Sequence, residues 1–205
     1  MNIRYEKILS IVVVAALMMT ALAMSGCQED ENEIVVGTSA DFPPFEYTEG
    51  GKIVGFDIDL IKSVLKDQGY TVKVEDYSFS SLIGALQQDK IDVVAAAMTI
   101  TDEREQQVDF SDPYYSADQS ILVQSGANLQ LDKPQDLQNY TVGAQTGTTG
   151  ADWIQKNLVE NGTMPASDFS SYDTYTLAVN DLTNGRIDAV VLDQPVAQAF
   201  EDDKD

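Results

Sequence analysis

Leu86-Gln87-Gln88-Asp89-Lys90-Ile91-Asp92-Val93-Val94 returns later in the chain as Leu182-Thr183-Asn184-Gly185-Arg186-Ile187-Asp188-Ala189-Val190. Each copy ends an amphipathic helix, turns, sets down a basic residue and an Ile-Asp pair, and runs into an apolar stretch. A helical period giving way to a short apolar run marks a helix feeding a buried parallel strand. Two such units, each among its own strands and helices, predict an α/β protein of two similar lobes. Each lobe is expected to be a mostly parallel sheet flanked by helices. In open α/β sheets a ligand sits off the carboxyl ends of the strands. The first strand runs out at Ala97-Met98-Thr99 and the second at Asp193, so these positions should line a cleft between the lobes.

The flanking sequence fills in the rest. Ile34-Val35-Val36-Gly37 reads as a buried strand, and Asp41-Phe42-Pro43-Pro44-Phe45 as a loop facing the ligand, because prolines remove donors and fix the backbone. From Phe56, residues Leu60, Ile61, Val64 and Leu65 fall on one helical face, and Gly69 stands where a helix C-cap belongs. Residues 113–123 read as the crossover from lobe I (34–112) to lobe II (124–205). After Phe200 no strand pattern remains for a return crossover, so the expectation is an incomplete product or lobes joined by one connection.

Composition narrows the function. Of 205 residues 43% are hydrophobic, enough for a buried core. The net charge of −22 repels nucleic acid and anionic headgroups. Histidine is absent and Cys27 is the lone cysteine, which removes His-based triads, the usual zinc ligands and any disulfide framework. No metal or cofactor is expected. At the N-terminus, Arg4 and Lys7 precede an apolar run from Ile8 to Met24, then Ser25-Gly26-Cys27. This resembles a lipoprotein export signal (1–26) with a lipid carried on Cys27, although Met24 stands where such motifs usually have Leu. An uncleaved anchor is the other reading, and both place the folded part outside the cytoplasmic membrane. Residues 27–33, polar and acidic, read as a tether.

Several residues near the strand ends carry chemistry. Arg104, in Met98-Thr99-Ile100-Thr101-Asp102-Glu103-Arg104, either grips a carboxylate with two parallel hydrogen bonds or is a surface arginine beside its acidic neighbours. Gly147-Thr148-Thr149-Gly150 precedes a helix and is either an anion site or a plain N-cap turn. Asp193 either receives a ligand ammonium or caps the helix beginning at Gln194. Phe42 and Phe79 either sandwich a ligand side chain or belong to the core. Trp153, Tyr114 and Tyr115 read as packing residues.

These segments carry a resemblance. Gly37-Thr38-Ser39-Ala40-Asp41-Phe42-Pro43-Pro44-Phe45 with Gly55-Phe56-Asp57-Ile58-Asp59-Leu60 is similar to the start of the polar amino-acid-binding proteins of ABC importers, the extracellular solute-binding proteins of family 3. The 98–104 segment, Val108-Asp109-Phe110-Ser111-Asp112-Pro113-Tyr114-Tyr115, residues 131–137, 142–149 and 187–193 follow in the family's order. The resemblance implies a type II periplasmic-binding-protein fold closing on a free amino acid. It assigns the carboxylate-binding arginine to Arg104 and the ammonium-binding aspartate to Asp193. Serine, threonine and backbone contacts fall on Ala97, Met98, Thr99, Thr148 and Thr149, and the sandwiching aromatics on Phe42 and Phe79. Relatives that take basic side chains or glutamine often have an acid where this chain has Ser39. Here Asp41 lies close by, and both positions are expected to meet the ligand side chain. The expected partners are the amino acid, an ABC permease and ATPase, and the membrane through Cys27, with the chain acting as a monomer and not as an enzyme. The alternatives are a dehydratase of cyclohexadienyl acids on the same fold, and a sensor module acting through a partner.

Overall fold

The computed structural model describes residues 32–202. The export signal and Cys27 therefore lie outside the described residues. Glu33, assigned to the tether from sequence, is instead the first residue of strand β1 (Glu33–Thr38). The chain continues through β2 (Asp41–Phe42), β3 (Glu46–Glu49), β4 (Lys52–Val54), helix α1 (Phe56–Asp67) and β5 (Thr71–Asp76). Helix α2 (Leu82–Gln87), β6 (Val93–Val94) and the short α3 (Asp102–Glu105) complete the first half. The second half holds β7 (Gln119–Val123), β8 (Val142–Gln145), α4 (Thr149–Ile154), β9 (Phe169–Tyr172), α5 (Tyr175–Thr183), β10 (Ala189–Asp193) and α6 (Gln194–Asp202).

Lobe I is built on a sheet of order β5-β1-β6 with a small antiparallel sheet β2-β3-β4 beside it, and lobe II on a sheet of order β7-β10-β8-β9. Strands β1 and β6 are parallel, as are β10, β8 and β9, while β7 runs antiparallel to β10. Residues 119–123 of the expected crossover thus form the edge strand of the second sheet.

The repeated phrase does the same structural work twice. Asp89 and Gly185 stand at equivalent turn positions with φ of +53° and +67°. Lys90 N–H then bonds back to Ala85 at 3.0 Å, as Arg186 N–H does to Asp181 at 2.9 Å. Asp92 accepts from Val35 N–H and Asp188 from Thr141 N–H, each at 2.8 Å, so each aspartate ties down the start of the neighbouring parallel strand. Each isoleucine packs onto a glycine of that strand. A Cβ on Gly37 would lie 2.3 Å from Ile91 Cδ1, and one on Gly143 would lie 2.8 Å from Ile187 Cδ1. The isoleucine side chains sit this close because those positions are bare.

One core cluster runs between the lobes. Phe42 and Phe45 from lobe I pack with Tyr175, Leu182, Ile187, Val190, Leu192 and Val196 from lobe II. Burying each large apolar side chain contributes about 1.5–3 kcal/mol, so this cluster resists separation of the lobes. Helix α1 departs from its sequence reading. Ile58 is buried and Ile61 and Leu65 are half-buried, whereas Leu60 and Val64 are 37% and 51% exposed. The inward stripe starts at Ile58, three and seven residues before the other two, and leaves Leu60 and Val64 on the adjacent stripe. Gly69, at φ +87°, follows the helix end as expected.

Candidate functional site

Beyond the carboxyl ends of β6 and β10, residues from both lobes line a small, narrow cavity. The lining includes Ser39, Phe42, Phe79, Ala97, Thr99, Arg104, Thr148, Thr149 and Asp193, all singled out by the sequence. It also includes Glu46, Ala96, Gln145 and Tyr175, which the sequence reading missed.

Arg104 is held inward by its own short helix. Thr101 caps α3 by accepting from Arg104 N–H at 3.3 Å, and Arg104 is 8% exposed. Its Nη1 donates to Thr99 O at 2.6 Å and its Nη2 to Gly147 O of lobe II at 2.9 Å. The guanidinium carbon lies 5.4 Å from the Phe79 ring centre, within cation–π range. Burial excludes the solvated-surface reading. It also lowers the Arg104 pKa, against the pull of Asp152 and Glu103, yet a guanidinium keeps its charge and has N–H groups beyond the two in use.

Asp193 closes β10, opposite Gln119 of the edge strand β7. Its Oδ1 accepts from the Gln119 side chain, and burial raises its pKa against that bond. Thr148 satisfies the plain-cap reading: its hydroxyl accepts from Ala151 N–H at 3.3 Å and donates to Gln145 O at 2.8 Å. Phe42 is 9% exposed and lies 5.4 Å, centre to centre, from the Tyr175 ring, so it is at once core and cavity wall. Ala97 has φ +43°, a conformation that costs a non-glycine residue about 1–3 kcal/mol. Asp57 holds it there by accepting from Ala97 N–H at 2.7 Å and from the Tyr114 hydroxyl at 2.5 Å. The Ala97 N–H is therefore spent inside lobe I rather than offered to a ligand. Tyr114, taken as a packing residue from sequence, is 45% exposed and acts through this hydroxyl. Tyr115, also read as packing, is 53% exposed and sets its ring edge-on to Phe45, while Trp153 packs against the lobe II core.

Two singled-out residues lie elsewhere. Met98 lines a wider groove next to the cavity, with Phe110, Pro113 and Tyr115. Asp41 is absent from the cavity wall. Its carboxylate takes bonds from Ser39, Gln145 and Tyr175, because the turn into β2 points it toward α5.

Glu46 is the unexpected group. It is 1% exposed, lines the cavity, and its Oε2 is buried without a hydrogen-bond partner. Burial, then the charges of Asp57, Asp41 and Asp193, push its pKa well above the usual carboxylate range. Leaving a buried carboxylate oxygen unpaired is costly unless something cationic meets it. No local signal marks Glu46, since Glu46-Tyr47-Thr48-Glu49 is polar throughout and the burial comes from packing of distant elements.

The cavity thus carries one cation, Arg104, and two acids, Asp193 and Glu46, with aromatic walls and hydroxyls at one rim. The model of the bacterial extracellular solute-binding proteins, family 3, matches residues 34–189. The chain belongs to that family. Among family 3 proteins, the arginine-binding extracellular protein ArtP of Bacillus subtilis is 38% identical over 178 residues, 86% of this chain and 67% of that one. A probable histidine-binding protein of Campylobacter jejuni is 33% identical over 88% of this chain and 72% of its own. The solved structure of an ancestral arginine-binding protein bound to arginine matches at a TM-score of 0.77 and 43% identity, over 83% of this chain and 74% of that one. The two-lobed α/β architecture is the type II periplasmic-binding-protein fold of these family 3 neighbours, which are named as binding proteins rather than enzymes.

Proposed function

We propose that this protein is an exported, non-catalytic receptor that captures a free amino acid with a cationic side chain and hands it to an ABC importer. The observation that carries the reading is the charge count of the cavity. A free amino acid brings one carboxylate and one ammonium, which Arg104 and Asp193 match. Glu46 then remains as an acid for a second positive charge, with Phe42 and Phe79 flanking the aliphatic stem. Ser39, where the sequence lacks an acid, is 3% exposed and adds a hydroxyl to the same wall. Relatives named for arginine and histidine support a basic ligand. The dehydratase alternative needs a positioned acid or base against a reacting carbon, and the acids here serve ionic recognition instead.

Calorimetric titration of the protein with L-arginine, L-lysine, L-histidine, L-glutamine and L-glutamate tests the reading. Arginine or lysine is expected to bind tightest. Failure of all five to bind sinks the proposal, and tightest binding of glutamate removes the role given to Glu46.

The raised carboxyls add a pH signature. A guanidinium or ammonium must meet an ionised Glu46, so binding displaces a proton wherever Glu46 starts protonated. Arginine affinity should therefore fall on acidification below that raised pKa, approaching about tenfold per pH unit. Asp193 imposes the same direction on every amino acid, so the ratio of arginine to glutamine affinity isolates Glu46. A ratio independent of pH would separate Glu46 from the ligand side chain.

For attachment we infer lipidation at Cys27. Cys27→Ala is expected to release the protein from the membrane or leave its signal uncleaved, read by mass and by fractionation. Unchanged mass and retention favour the uncleaved-anchor reading.

A further inference from the structure

We propose that Asp41 is a latch for lobe closure, a positioning residue that strengthens amino-acid capture without touching the amino acid. The proposal rests on reading the cavity as the ligand site. Asp41 opens β2 in lobe I, and its oxygens are used by protein groups. Oδ2 accepts from Tyr175 N–H of lobe II at 2.5 Å, and Oδ1 from the Ser39 hydroxyl at 3.1 Å. The Gln145 side-chain nitrogen, also of lobe II, lies 3.3 Å and 3.4 Å from the two oxygens and donates to Asp173 O at 3.0 Å.

Tyr175 begins α5, and the first N–H groups of a helix have no partner within it. Thr174, the N-cap, spends its hydroxyl on Leu177 N–H. The Tyr175 N–H must therefore find an acceptor elsewhere, and Asp41 supplies one with a full negative charge at the positive end of the helix dipole. Asp41 and the Tyr175 and Gln145 donors belong to different lobes, so those contacts exist only while the lobes are together. Opening hydrates both sides at once. The same region is tight: a Cβ on Gly147 would lie 3.1 Å from the Ser80 Cβ across the lobes. The stabilisation is thus independent of which amino acid fills the cavity. A contact of that kind shifts the open–closed equilibrium by one factor for all ligands and changes no preference among them.

Asp41→Ala in the full chain tests the latch, with L-arginine, L-lysine and L-glutamine as probes. All ligands that bind the parent should weaken by a common factor of about tenfold, since a buried N–H is left without its charged acceptor. The loss should fall in the dissociation rate. Hydrogen exchange should quicken on the facing loops 78–81 and 146–149, while the amides of β8 and β10 stay protected, which reports an intact fold. Asp41→Asn, which keeps an acceptor for the Tyr175 N–H, should recover part of the affinity, and it replaces the alanine variant if that fails to fold. A changed arginine-to-glutamine ratio returns Asp41 to the ligand side chain and overturns the latch. So do dissociation rates within twofold of the parent together with unchanged loop exchange. If the parent binds none of the probes, the receptor reading fails separately, and loop exchange alone decides the latch.

Discussion

Arg104→Ala and Asp193→Ala are each expected to abolish useful affinity for every amino acid. Each deletion strands one charge of a zwitterion inside the cleft. Losing one partner of a buried, hydrogen-bonded charge pair costs about 2–5 kcal/mol or more, roughly thirtyfold to several thousandfold in affinity. Arg104→Ala also removes the Nη2 bond to Gly147 O, which joins the lobes. Arg104→Lys should fail nearly as badly, because an ammonium cannot hold Thr99 O, Gly147 O and a carboxylate with a planar fork. Equilibrium binding of arginine and glutamine to each variant is the measurement. An Arg104→Ala protein within a few-fold of the parent would mean that the cavity is not the site.

Glu46→Gln should separate ligands that the first pair of variants treats alike. Arginine and lysine lose their side-chain counter-ion and should weaken by about 2–5 kcal/mol, whereas glutamine should change little. The effect on the free protein has the opposite sign. Burial raises the Glu46 pKa, so the folded protein takes up a proton more readily than the unfolded chain, and ionised Glu46 destabilises it as pH rises. Removing the charge is expected to raise the melting temperature at neutral pH without ligand. A variant that keeps arginine affinity, or that melts lower than the parent, would contradict the placement of an unpaired carboxylate in the cavity.

The repeat made the lobes legible because its parts are local: a turn with positive φ, an aspartate for the next strand, an isoleucine for a glycine. Arg104 and Asp193 could be picked out as cavity residues for a related reason, since Asp193 ends β10 and Arg104 lies in the short segment that follows β6. Glu46 and Asp41 were not legible. Their burial depends on which distant element covers them, and Asp41 in particular meets Gln145 and Tyr175 from more than a hundred residues away. Sequence spacing brought Asp41 near the ligand; the β2 turn aims it at a helix instead. The outward Leu60 and Val64 teach the same lesson, because a helical period locates an apolar stripe without saying which edge of it meets the sheet.

The isoleucine–glycine contacts under both lobes have a consequence for how such a protein changes its diet. Ile91 on Gly37 and Ile187 on Gly143 fill the bare positions of the two sheets from beneath, while Glu46, Ser39, Thr99 and Thr148 stand on the loops and edges above them. Wall residues are thus free to drift, one substitution at a time, over a chassis that need not be rebuilt. New specificities should be reachable by exchanging the wall alone. Exchanging either bare glycine, by contrast, would force Ile91 or Ile187 and their neighbours to move.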